Sequence, residues 1–207
     1  MSSNTSNTNV VNVAITGVGG QGVLTLAEIL AKAALADSHN VRVGEIHGMA
    51  QRGGHVVCTV RIGEGAKGPI IDPGTAHLVV GFEPVETVRE AHLAAKEGYI
   101  LINSHIQYPV AVSMGKADYP SEDVIQKAFK EFSERILEFD AMELATQAGS
   151  TRAMNMVMFG AILGTGIVPV SKETATEVIR NAFPSKFSGV NIEAFNLGFN
   201  KIQELKK

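Results

Sequence analysis

Six residues constrain this chain more than any other stretch: Gly17-Val18-Gly19-Gly20-Gln21-Gly22, preceded by an apolar run at residues 10–16 and followed by a helix-like pattern over residues 21–36. A β-branched run, a glycine turn and a 3.6-residue apolar period form the opening strand–turn–helix unit of an α/β protein. In such a unit the first glycine permits the tight turn, the second lets the backbone approach a ligand, and the third allows close helix–strand packing. Unpaired N–H groups and the dipole at the helix start favour an anion there. The context predicts a nucleotide-like ligand or a tight structural turn, and it does not name a reaction.

The remaining chain alternates in the same way. In the first helix Val23, Leu26, Ala27, Leu30 and Ala34 share one face, opposite Thr25, Glu28 and Lys32, the spacing of a helix lying on a sheet. Strands are expected at residues 10–16, 41–45, 56–62, 78–81, 99–103 and 136–140. Glu83-Pro84 opens a helix at a position that suits proline, and another starts near Ser121 with Ile125, Ala128, Phe129 and Phe132 as its stripe. Strands alternating with helices predict a three-layer, Rossmann-like α/β fold with a mainly parallel sheet. The 56–62 strand can instead pair antiparallel, because no helix precedes it. Residues 153–170 are apolar except for Asn155 and Thr165, long enough to span a bilayer. Gly160, Gly164, Gly166 and Pro169, without aromatic belts, favour a buried helix instead. Two more helices are expected, after Ser171 and over residues 192–205. The expected organisation is a disordered polar tail at residues 1–9 and one α/β domain over 10–207 with a helical C-terminal part.

Chemistry-bearing patterns are few. A net charge of −3 and six scattered histidines present no basic stripe for nucleic acid. The N-terminal run lacks the apolar region of a secretory signal, so a cytoplasmic protein is expected. Cys58 lies in an alternating, strand-like run and reads as a small buried hydrophobe. It is the only cysteine, whereas an iron–sulfur cluster normally takes four thiolates. Val23-Leu24 stand where a P-loop needs Lys-Ser/Thr. No Ser/His/Asp set, His-x-x-x-His or CxxC pair is present, so no catalytic residue and no metal site is assigned. Glu45, 23 residues beyond Gly22, falls where a ribose-binding acid would lie in a dinucleotide-binding unit, or is a solvated carboxylate at a strand end. Gln51-Arg52-Gly53-Gly54 is the second candidate binding segment. Arg52 can grip phosphate or carboxylate bidentately and the glycines allow close approach, with His47 and Met49 just ahead. The competing reading is a loop whose arginine pairs with a surface acid.

Three blocks together carry a family resemblance: GVGGQGVLTLAEIL (residues 17–30), GEIHGMAQRGGHVVCTVRIG (44–63) and NMVMFGAILG (155–164). The chain resembles the gamma-type subunit or domain of the 2-oxoacid:ferredoxin oxidoreductases, and its HGMAQRGG form is most similar to the beta subunit of the indolepyruvate branch. The resemblance spans nearly the whole chain. It implies a holoenzyme that oxidatively decarboxylates an aryl-2-oxoacid, joins the acyl group to coenzyme A and passes electrons to ferredoxin. It also implies that thiamine diphosphate, magnesium and iron–sulfur clusters belong to a large partner subunit. The absence of Gly-Asp-Gly from this sequence agrees with that division, and so does the single cysteine. Carried over from the family blocks as ligand-facing are Gly17, Gly19, Gly20, Gln21 and Gly22, with Gln51, Arg52, Gly53 and Gly54. Coenzyme A is their candidate ligand at a shared site; a purely structural role for the glycines is the alternative. The 153–170 segment and the 51–54 loop are the expected partner-facing parts, and an uncovered partner face would favour a homodimer of the isolated chain. Two other readings stay open: a stand-alone reductase with NAD(P) on residues 17–22 and Glu45, and a nucleotide-sensing module without chemistry.

Overall fold

The computed structural model describes residues 10–47, 53–108 and 110–207; the expected disordered tail at residues 1–9 lies outside them. The first strand, β1 (Val11–Val18), runs two residues further than the sequence pattern suggests, and α1 (Val23–Ala36) starts two residues later. Both shifts come from the glycine segment. Gly17 and Val18 continue the β ladder, and the turn occupies only residues 19–22. Next come β2 (Val41–His47), β3 (His55–Ile62), β4 (Ala76–Gly81), α2 (Pro84–Glu90) and β5 (Ala94–Asn103). The chain continues through α3 (Val110–Ser113), α4 (Glu122–Lys130), β6 (Arg135–Phe139) and α5 (Ala141–Gln147). It ends with α6 (Met154–Gly164), α7 (Lys172–Ala182) and α8 (Ser185–Leu205). Pro84 occupies the first turn of α2 as expected, while the Glu83 side chain caps that turn by accepting from the Glu86 N–H.

The strands form one six-stranded sheet in the order β2-β3-β1-β4-β5-β6. Strands β1, β4, β5 and β6 pair in parallel. Strand β3 is antiparallel to both its neighbours and lies between β1 and β2. The sheet is therefore mainly parallel in strand direction, with one reversed strand where no helix separates β2 from β3. Alternation along each strand feeds two cores. Val13 and Ile15 point to one face, with Val80 and Leu101, under α1 and α5–α8. Ala14, Val79, Ile100 and Ile102 point to the other, under α2 and α4 with Ile125 and Phe129. This is the expected three-layer arrangement.

Helix α6 is apolar on every side, and all eleven of its residues are buried. Its neighbour is α8, and glycines set their separation. A Cβ on Gly160 would lie 1.8 Å from the Phe195 carbonyl oxygen, and one on Gly198 would lie 1.9 Å from that of Val157. The expectation that this segment faces a partner is thus corrected, because α8 and the sheet already cover it. No helix of the described residues is long and apolar enough to cross a membrane.

Candidate functional site

After β1 the chain enters α1 on one face of the sheet, and after β4 it enters α2 on the other. The crevice between these two strand ends is where open α/β sheets bind ligands. Gly17 is not the turn residue assigned to it from sequence. It sits in the strand, where a Cβ would lie 2.7 Å from both Phe82 Cβ and Gln21 Oε1, so glycine there answers a packing need at the crevice. Gly20 and Gly22 carry the conformational demand, with φ of +104° and +92°, a region in which L side chains are strained. Gly22 is the N-cap of α1 and no side chain caps that helix, which leaves its first-turn N–H groups for another acceptor.

Gln21 turns its amide into the protein. Its Oε1 accepts from the Val18 N–H at 2.8 Å and its Nε2 donates to the Phe82 carbonyl at 3.3 Å. The side chain thereby joins the ends of β1 and β4 and fixes the turn. The second candidate segment meets the first. Gly19 N–H donates to the Gly54 carbonyl at 2.8 Å, and Gly53 N–H donates to the Gly19 carbonyl at 3.2 Å. These bonds extend the β1–β3 ladder, whose last registered pair is Val18 with His55. Gly53 has a φ of +74°, and a Cβ on it would lie 2.5 Å from Val110 Cγ2. Gln51 and Arg52, with Met49, lie outside the described residues.

Two residues not singled out as ligand-facing from sequence complete the site. Asn155, at the start of α6, is only 8 % exposed and lies against Gly22, where a Cβ would approach its Nδ2 to 3.1 Å. Its amide makes no hydrogen bond within the described residues and instead lines a cleft of about 270 Å³ with Gly20, Gln21, Gly22, Arg152 and Met154. The guanidinium of Arg152 is exposed at the rim. An amide lining the cleft, an uncapped helix start and an arginine together suit an oxyanion. The sequence signal for Asn155 was a lone polar residue in an otherwise apolar helix.

Charged groups back the turn. His55, first residue of β3, places Nδ1 against Glu86 Oε2 and Nε2 2.9 Å from Glu90 Oε1, both on α2. Hydrogen bonds to Glu86 and then Glu90, opposed by partial burial, push its pKa up to about 9. Glu86 is 3 % exposed and also meets Arg89 at 3.4 Å. Glu83 is fully buried, and desolvation raises its pKa although Tyr119 donates to it. Cys58 is completely buried, and burial pushes its thiol up to about 12. Glu45 falls elsewhere. It is in register with Cys58, which is in register with Ile15, so β3 separates it from β1 by two strand spacings, about 10 Å. The ribose-binding geometry considered for Glu45 depends on β2 lying next to β1, and the reversed strand removes that adjacency.

Fold and site together define an α/β unit with an anion-friendly crevice at the strand ends. Residues 12–201 match the pyruvate ferredoxin/flavodoxin oxidoreductase family, and the chain belongs to that family. It is 44% identical over 195 residues to the indolepyruvate oxidoreductase subunit IorB of Pyrococcus horikoshii, covering 94% of this chain and 96% of that protein. In fold it is similar to the gamma subunit of the keto/oxoacid ferredoxin oxidoreductase of Geobacter sulfurreducens, with a TM-score of 0.69 at 22% identity over 94% of this chain and 99% of that one. The 2-oxoglutarate:ferredoxin oxidoreductase of Magnetococcus marinus, solved with 2-oxoglutarate, coenzyme A and succinyl-CoA bound, gives a TM-score of 0.70 at 18% identity. That match covers 94% of this chain but 31% of the longer one. The same unit thus occurs free and within a larger polypeptide.

Proposed function

We propose that this chain is the small subunit of an indolepyruvate-type 2-oxoacid:ferredoxin oxidoreductase, a cytoplasmic enzyme. Its reaction takes an aryl-2-oxoacid and coenzyme A to acyl-CoA and carbon dioxide, with an electron pair passing to ferredoxin. The 44% identity to an indolepyruvate oxidoreductase subunit along nearly the full length of both chains supports this branch of the family. Thiamine diphosphate, magnesium and the iron–sulfur clusters reside on a larger partner. The residues of this chain do not fit a cluster, which takes four thiolates, because the single cysteine lies fully buried in β3.

The role assigned to this chain is to hold the phosphates of coenzyme A. One observation carries that assignment: the three sequence blocks of the family, far apart in the chain, converge at the C-terminal end of β1. Gly19 bonds to Gly53 and Gly54, and Gly22 rests on Asn155. The N–H groups at the start of α1 and the Asn155 amide would donate to phosphate oxygens, and Arg152 would pair with their charge. Gln51 and Arg52 directly precede Gly53 in the chain, and the proposal keeps them as coenzyme A contacts. Gly17 and Gln21 serve the site by shaping the crevice.

Expression of the tagged chain in its own host tests the assembly. A brown complex with a large subunit, active on an aryl-2-oxoacid plus coenzyme A, is expected; a colourless lone protein that binds NAD(P) would overturn the reading. In the complex, Asn155→Ala removes a hydrogen bond to a charged group, worth about 1.5–3 kcal/mol. It should raise KM for coenzyme A about tenfold or more and leave KM for the oxoacid in place. Unchanged coenzyme A affinity in both Asn155→Ala and Arg52→Ala would leave the glycines a structural role only.

A further inference from the structure

We infer that His55 is a positioning residue for the glycine turn, acting as a cationic clamp that fixes the Gly53–Gly54 strand end, and through it Gly19, against helix α2. The inference rests on the coenzyme A reading of the cleft. His55 bridges two carboxylates of a helix that belongs to a different strand crossover, Glu86 on one ring nitrogen and Glu90 on the other. The same helix is tied to β1, since Thr16 Oγ1 donates to the Glu86 carbonyl at 3.3 Å. One residue before His55, the Gly54 carbonyl accepts from Gly19, and Gly53 returns a bond to the Gly19 carbonyl. Gly54 and Gly53 have no side chain with which to hold this position. Their placement depends on what anchors the strand at His55. An imidazole with both nitrogens against carboxylates must carry a proton on each, because a neutral ring donates from one nitrogen only. Losing that proton leaves one carboxylate, and Glu86 is almost fully buried, facing a lone pair.

Among the described residues, the charged groups placed around the ring lie on α2. Helix α2 presents Glu86 and Glu90, with Arg89 beside Glu86 and buried Glu83 beneath it. Strand β1 presents Val18 in register and no titratable group, and β2 pairs no residue with His55. The clamp is thus charged at neutral pH, and it opens when the ring deprotonates near pH 9.

Desulfo-coenzyme A, which lacks the titrating thiol, is the probe, measured as a competitive inhibitor of the assembled holoenzyme. In the wild type its Ki should rise by about 2- to 30-fold, the range for coupling through a positioning contact, as pH passes through about 9. His55→Gln should show the weakened Ki already at neutral pH and no alkaline limb, with KM for the oxoacid in place. Glu90→Gln keeps the ring and one carboxylate and should move the limb to lower pH. An alkaline limb at one unchanged pH in all three proteins, or a neutral-pH Ki in His55→Gln equal to that of wild type, would overturn the inference. Asn155→Ala in the same series separates the two ideas. If it weakens desulfo-coenzyme A while His55→Gln does not, the clamp fails alone. If neither weakens it, the coenzyme A site fails.

Discussion

The close backbone contact between α6 and α8 predicts a large single-methyl effect. A Cβ on Gly198 of α8 would lie 1.9 Å from the Val157 carbonyl oxygen, 2.7 Å from its carbon and 3.0 Å from its Cα. All three atoms are backbone, so no side-chain rotation relieves Gly198→Ala, and ordinary contact begins near 3.4 Å. The helices must therefore part by about 1.5 Å, while a gap of 0.5–1 Å already forfeits a quarter to a half of each dispersion contact. Helix α6 is buried on every side, so the loss spreads to Val157, Phe159 and their neighbours. Overpacking of this kind costs about 1–3 kcal/mol, and the rigid geometry places Gly198→Ala at the upper end, about 3 kcal/mol. For a chain of this size that is a fall in Tm of about 6–12 °C. Gly189→Ala, on the same helix, supplies the internal control. Nothing lies within 4 Å of its Cβ position, so the higher helix propensity of alanine should stabilise by up to about 1 kcal/mol. Urea denaturation followed by circular dichroism, with calorimetry for Tm, should separate the two variants by about 3–4 kcal/mol. A separation under about 0.5 kcal/mol would refute the argument that these glycines set the α6–α8 distance.

Three further outcomes can be checked on the same preparations. Asn103 is fully buried and joins four groups, donating from Nδ2 to the Phe82 carbonyl and Met154 Sδ while Oδ1 accepts from the His105 and Ala141 N–H groups; Asn103→Ala should cost about 2–4 kcal/mol in urea unfolding by orphaning buried partners. Cys58, held up near 12 by burial, should fail to react with Ellman's reagent at pH 8 in the native protein and react fully in denaturant. The His55 pKa is raised from 6.5 to about 9 on folding, so its stabilisation is complete below about pH 6.5 and is lost as pH rises through 9. Relative to His55→Ala, the wild type should lose about 1–2 kcal/mol between pH 7 and 10, after allowance for solvent screening.

The elements that could be read from sequence are those whose signal is local. The 3.6-residue period of α1, the Glu83-Pro84 helix start and the all-apolar α6 each record which side of one segment is buried, so composition alone predicts them. The antiparallel option at residues 56–62 was also legible, from the missing helix before it. Boundaries shifted where a neighbour rather than the segment decides. Gly17 looks like a turn residue in a one-dimensional pattern, yet it is needed in the strand because Phe82 and Gln21 occupy the space its Cβ would take. The partner-facing role expected for α6 failed for a related reason. The sequence records that the helix is apolar all round, and only the glycine pairing with α8 shows what covers it.

Strand order is the property that no local pattern holds, and it decides the site. A glycine-rich turn followed about 20 residues later by an acid describes a dinucleotide site only if the second strand lies beside the first. Here β3 returns antiparallel between them. That one reversal displaces Glu45 from the crevice and brings Gly53 and Gly54 in its place, where backbone amides of two loops pair at Gly19. The cleft then takes its remaining donors from the opposite end of the chain, with Asn155 seated on Gly22. A ribose-reading carboxylate is exchanged for a cleft with an amide and an arginine at its edge. The reversed strand also carries His55, so the element that brings Gly53 and Gly54 to Gly19 holds the group proposed to keep them in place.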